Sequence, residues 1–175
     1  FSDYQTSLAA NYVLIDRGKR RARIIQKLER FADRFGGRVE LQGEQTALLN
    51  EVPDLIEYPS VVAGNFPSEF LSLPSEVLKT TMIHHQHYFP VIDQHGELTS
   101  TFLAVTNTPR DNVPRIARNA ERVLVARLRD ARFFWNTDRK TRLQGQLERL
   151  DTLLFHKKLG SYRAKAERVG VLAER

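Results

Sequence analysis

The stretch Pro114-Arg115-Ile116-Ala117-Arg118-Asn119-Ala120-Glu121-Arg122-Val123-Leu124-Val125-Ala126-Arg127-Leu128-Arg129-Asp130-Ala131-Arg132-Phe133-Phe134-Trp135 has the period of a helix. It has proline only at its first position and no glycine. At about 100° per residue, Ile116, Ala120, Val123, Leu124, Ala131 and Phe134 fall within one stripe roughly 100° wide, the side expected to anchor the fold. Arg115, Arg118, Arg122 and Arg129 fall on another side, within about 60° of one another and over about 21 Å of axis, with no acid among them. Arg127 falls inside the apolar stripe, so it is expected to reach past it or to meet a carboxylate. Phe133-Phe134-Trp135 reads as core, and Asn136-Thr137-Asp138 as the cap of a new helix carrying Arg139, Lys140 and Arg142.

Outward from this helix, the chain divides by charge. The net charge of the 175 residues is +6. Residues 17–38 hold nine Lys/Arg against Glu29 and Asp33, residues 39–106 hold Lys79 against nine acids, and residues 107–175 hold 17 basic against eight acidic groups. Basic blocks of this kind either contact a polyanion or form solvated faces paired with acids elsewhere. The arginine row is chemically suited to phosphates, which guanidinium groups bind bidentately. The opposing possibility is a row neutralised by the acidic segment.

Before this helix the signals alternate. Gly18 to Gly36 sets Ile24, Ile25, Leu28, Phe31, Ala32 and Phe35 at helical intervals and stops at Gly36-Gly37. Arg38 to Gln42 alternates as a short strand, Thr46 to Glu51 reads as a helix that Pro53 interrupts, and Tyr58 to Gly64 as a buried strand. Pro67 to Leu71 is a helical turn, and Pro74 opens a helix toward Ile83 capped by Ser72 or Leu73. Tyr88 to Ile92 and Leu98 to Val105 flank Gln94-His95-Gly96-Glu97 as a β-hairpin, with Pro90 at an edge or a bulge. A boundary is placed in the loop-like 107–113, and the rest reads as helical. The fold class expected is α+β: a small sheet with a hairpin and flanking helices over 1–106, then an all-helical segment over 107–175.

Much chemistry is excluded. Zero cysteines remove disulfides, thiolate metal sites and thiol nucleophiles and favour a reducing cytoplasm, and no stretch approaches the about 20 apolar residues of a membrane helix. No secretory signal is read at the start, and the lack of an initiator Met and the helix-like ending at Glu174-Arg175 suggest a piece of a longer chain. His84, His85 and His87 point in different directions in a helix or a strand, so they are expected to form a polar element end, with a metal site or a histidine hydrolase as the remote alternative. No phosphate-binding glycine loop or nucleophile elbow is present.

Three stretches carry a resemblance. Leu73-Pro74-Ser75-Glu76-Val77-Leu78-Lys79-Thr80-Thr81-Met82 with Gln86-His87-Tyr88-Phe89-Pro90-Val91, then Arg127-Leu128-Arg129-Asp130-Ala131-Arg132-Phe133-Phe134 with Asn136-Thr137-Asp138-Arg139-Lys140, then Leu154-Phe155, Leu159-Gly160 and Lys165 to Arg168 resemble the beta subunit of bacterial heterotetrameric glycyl-tRNA synthetase. Ile83-His84-His85 and Trp135 depart from the usual pattern. The resemblance implies an interior piece of beta. Residues 1–106 would be the later part of a module like the editing domain of phenylalanyl-tRNA synthetase beta, and 107–175 the start of an HD-like helical domain. It also implies that glycine activation with ATP belongs to the alpha subunit, leaving this piece no catalytic residue, no metal and no cofactor of its own. The expected partners are tRNA(Gly), the alpha subunit and the remainder of beta. The candidate RNA contacts are Arg115, Arg118, Arg122, Arg129, Arg139, Lys140 and Arg142; the rival expectation is a scaffold surface for the alpha subunit that no RNA touches.

Overall fold

The computed structural model describes residues 2–109 and 112–174; Phe1, Arg110 and Asp111 of the expected loop, and Arg175 lie outside the described residues. Two compact units divide the chain, Phe1–Arg132 and Phe133–Arg175. The composition changes at 107–113, and the units divide between Arg132 and Phe133, within a helix.

In the first unit, α1 (Ser2–Ala10) precedes the amphipathic α2 (Arg17–Arg34). Asp16 caps α2 by accepting the Lys19 N–H at 2.9 Å, a bond that holds its carboxyl below the usual carboxylate range. Ile24, Leu28 and Ala32 are fully buried at the helical spacing of the sequence, and the two larger side chains contribute about 1.5–3 kcal/mol each. The helix closes with Gly36 N–H on Asp33 O and Gly37 N–H on Ala32 O.

The sheet has three antiparallel strands in the order β1 (Pro59–Asn65), β3 (Leu98–Asn107), β2 (Tyr88–Ile92). The β2–β3 pair is the expected hairpin, with Gly96 at φ +88° in its loop, and Pro90 lies on the edge strand beside a bulge. The expected strand at 38–42 is reduced to one bridge, Arg38 to Ile92. Ile92 donates to Arg38 O and accepts from Arg38 N, but Pro90, two residues back, offers no N–H to extend the ladder.

Both faces of the sheet are covered, which is why its strands read as nearly continuous apolar runs. Val61, Phe89, Val91 and Leu103 share one core with α2, α3 (Glu44–Leu55) and Ile83. On the alternate positions Val62, Phe102 and Ala104 are also buried. Contacts of Glu121 with Asn65 and of Arg132 with Phe70 bring α5 (Val113–Lys140) and the 3-10 turn Ser68–Ser72 to this side.

Gly64 lies opposite Phe102, whose ring crosses it and stacks on Tyr88 at 4.8 Å. A Cβ at Gly64 would sit 2.5 Å from Phe102 Cζ and 3.0 Å from Glu121 Cγ. Gly64→Ala is therefore expected to destabilise the chain by about 1–3 kcal/mol through overpacking. Thermal unfolding checks this; an unchanged Tm would mean that the Phe102 ring moves aside freely.

Pro53 does not interrupt its helix: α3 continues to Leu55, and α2 supplies donors for its last carbonyls. Arg17 donates to Asn50 O at 2.6 Å and Arg20 to Pro53 O at 2.8 Å. The other donor bonds of these side chains are to Asp54 at 2.7 Å from Arg17, and to Leu14 O and Ile15 O from Arg20. Arg17 holds the Asp54 carboxyl below its ordinary range, so the stabilisation from this pair is complete above about pH 3.9 and is lost as pH falls through the lower folded value. Asp54→Asn is expected to lower Tm by about 1–3 °C at pH 6, with the deficit shrinking toward pH 3. A deficit independent of pH would contradict the pairing.

Pro74 itself occupies the cap position of α4 (Ser75–Lys79), which widens into a π-type turn over Thr80–His85.

The second unit holds the end of α5, the 3-10 stretch Leu143–Thr152, the short antiparallel pair β4 (Leu154–His156) and β5 (Gly160–Ser161), and α6 (Tyr162–Ala173). The last third is thus helical apart from that pair. No new helix starts at Asn136-Thr137-Asp138: α5 runs through them to Lys140, with the Thr137 hydroxyl bonded to Phe133 O.

Candidate nucleic-acid interface

In the first unit, α5 buries Ala120, Leu124 and Leu128, three residues one helical turn apart. Their mean direction is about 50–60° from the centre of the stripe read in the sequence. Val123, on the far edge, is 45 % exposed. Arg127 emerges with it: the side chain is exposed and forms no ion pair among the described residues, so the expected structural pair is absent. The arginine that does anchor the helix is Arg132, which donates to Glu69 Oε1 at 3.0 Å and lies over the Phe70 ring at 4.6 Å. Glu121 anchors the previous turns by accepting the Asn65 N–H at 2.9 Å.

This rotation leaves the arginine row on the open side. Arg115, Arg118, Arg122 and Arg129 are all exposed, and among the described residues none makes an ion pair or hydrogen bond through its side chain. Four acids of the 39–106 segment are engaged elsewhere. Asp54 holds Arg17, Glu69 holds Arg132, Glu40 lies 3.9 Å from Lys79, and Asp93 accepts the His95 and Glu97 N–H groups of its own turn. Three acids of that segment, Glu40, Glu44 and Glu76, line an open cleft of about 380 Å³ with Lys79, which gives it the wrong sign for a phosphate.

The basic block of α2 has a different use. Arg17 and Arg20 bond to backbone carbonyls, and Arg23 donates to Pro59 O at 3.1 Å while lying 4.2 Å over the Tyr58 ring. These guanidinium groups stitch α2 to α3 and β1. Charge counting alone does not separate them from the α5 row, because apart from the Asp54 carboxylate on Arg17 their acceptors are carbonyls without charge.

Arg139, Lys140 and Arg142 belong to the second unit, where they are exposed and without carboxylate partners among the described residues; Arg139 lies 5.7 Å over the Trp135 ring. Phe133 and Phe134 are not core: they pack edge to face at 5.5 Å and are 63 % and 62 % exposed. His84, His85 and His87 are exposed, and among the described residues no three His, Asp or Glu converge to hold a metal. No described helix is long and apolar enough to cross a membrane.

The whole length, residues 1–175, matches the family described as glycyl-tRNA synthetase beta subunit. The chain belongs to this family. The glycine–tRNA ligase beta subunit of Moorella thermoacetica is 44% identical over 172 residues, 98% of this chain and 24% of that protein. Those of Listeria monocytogenes and Trichlorobacter lovleyi are each 41% identical, over 98% and 99% of this chain and 25% of their own length. The chain therefore spans about a quarter of the relatives it matches. Within the stretches that carried the family resemblance, Leu73, Leu78, Met82, Phe89, Val91 and Leu128 are buried. The first two of those stretches contribute these residues to the core, and the row on α5 is exposed.

Proposed function

We propose that this segment contributes RNA contact to a glycine–tRNA ligase of the cytoplasm, with Arg115, Arg118, Arg122 and Arg129 of α5 gripping the phosphate backbone of tRNA(Gly). Four unneutralised guanidinium groups on one face of a helix whose opposite face is locked into the sheet carry this reading. Anchoring by Leu124, Leu128 and Arg132 holds the row in place before RNA arrives, so binding spends little on ordering the helix. Arg139, Lys140 and Arg142 form a second basic patch in the other unit. In this proposal glycine activation with ATP and transfer to the tRNA end are the alpha subunit's work, and the role of these residues is positional.

The test uses the assembled enzyme. Arg118→Glu with Arg122→Glu is expected to weaken tRNA binding in fluorescence anisotropy while the alpha subunit still co-purifies. Loss of the alpha subunit with tRNA affinity intact would transfer the row to subunit docking and overturn the RNA reading.

A further inference from the structure

The second unit, Phe133–Arg175, has no buried residue among those described in it. Most of its large apolar side chains are open, with Trp135, Leu150 and Phe155 half-buried: Leu143 is 88 % exposed, Leu154 65 %, Val171 58 % and Leu172 67 %. Singly exposed apolar residues are ordinary on a protein surface, but a unit in which no described residue is fully covered has no core. What holds it is local. Phe155 meets the Tyr162 ring edge-on at 5.3 Å, Lys165 Nζ lies 4.1 Å over Phe155, and Arg163 bonds to Asp151 and Glu167 at 3.2 and 3.1 Å. Exposed pairs of this kind contribute little, against an ordering cost of about 1–2 kcal/mol per residue of backbone. The first unit shows the contrast, with Ile24, Leu28, Phe89, Phe102 and Leu103 at 0 % exposure.

Polypeptide to cover these faces is available within the family. Relatives that match 98% of this chain do so with only 24–25% of their own length. The open surface also has the chemistry of a protein contact. On α6 an open groove of about 540 Å³ is lined by Ala164, Val171 and Leu172, with one acid, Glu167, and one base, Arg168, at its sides. An apolar floor with a balanced rim suits an amphipathic segment and gives no attraction to a polyanion.

We infer that the apolar faces of the second unit are an interface within the beta chain, covered by the part of that chain that lies outside these 175 residues, and that the unit reaches its stable fold only when so covered. It is independent of the arginine row, since it concerns a separate unit and a partner of different chemistry.

Hydrogen–deuterium exchange of the full-length beta chain, measured without and with the alpha subunit and beside the 175-residue chain, tests this. Amides of residues 153–174 are expected to exchange at least about 100-fold more slowly in the full beta chain alone than in the 175-residue chain, with little further change when the alpha subunit is added. Leu154→Glu with Leu172→Glu in the full chain is expected to restore fast exchange there and to leave the strands at 59–107 protected. Equal exchange in the short and full chains, or protection that arrives only with the alpha subunit, would overturn the inference.

Discussion

Reversing Arg118 and Arg122 together to glutamate is expected to lower the affinity of the assembled ligase for tRNA by at least about 100-fold, since each charge-assisted contact removed costs about 1.5–3 kcal/mol and every 1.4 kcal/mol is tenfold. The fold tolerates the change because neither side chain bonds to anything among the described residues. A lower net charge alone would also weaken binding, so the control is Arg127→Glu, equally exposed but about 150° around the helix from the row. Its expected loss is no more than about threefold, within the range of long-range steering. Equal losses at Arg127 and at a single row position would show a general charge effect and remove the geometric claim. Arg132→Glu is the wrong probe, because it sets two carboxylates together at Glu69 and disturbs the packing on Phe70.

The second large effect concerns how α5 is seated. Leu124→Ala is expected to destabilise the first unit by about 2–5 kcal/mol, because the side chain is fully buried and its loss leaves a cavity between helix and sheet. Val123→Ala, one residue away, is expected to change stability by no more than about 0.5 kcal/mol, being 45 % exposed. Chemical denaturation of the two variants measures the difference. Comparable losses would place the buried stripe where the sequence periodicity centres it and would turn Arg118 and Arg122 to a different aspect of the surface.

That contrast shows how far the sequence could be read. Apolar residues of α5 cover a wide arc, from Val123 on one edge to Leu128 on the other, and periodicity centres the arc without saying which edge meets the sheet. The choice is made by bonds to residues remote in sequence: Glu121 to Asn65 and Arg132 to Glu69, 56 and 63 positions apart. The arginine row was legible because it lies away from either candidate edge, while the exposure of Arg127 depends on that choice. Elements whose signals are local, such as α2 with its Gly36-Gly37 stop and the hairpin with Gly96, appear where the sequence places them. Pro53 misleads because it lies in the last turn of α3, where Arg20, more than 30 residues earlier, caps its free carbonyl. The strand at 38–42 fails because its partner carries Pro90. Phe133 and Phe134 have the composition of core in a unit whose described residues supply no core.

The most direct measurement is the salt dependence of tRNA binding for the assembled enzyme and for a variant with Arg115, Arg118, Arg122 and Arg129 all changed to glutamine. Each phosphate contact contributes about 0.7–0.9 to the slope of log affinity against log salt, so the variant's slope is expected to be shallower by roughly 3. Parallel lines for the two proteins would contradict contact between these arginines and the RNA backbone.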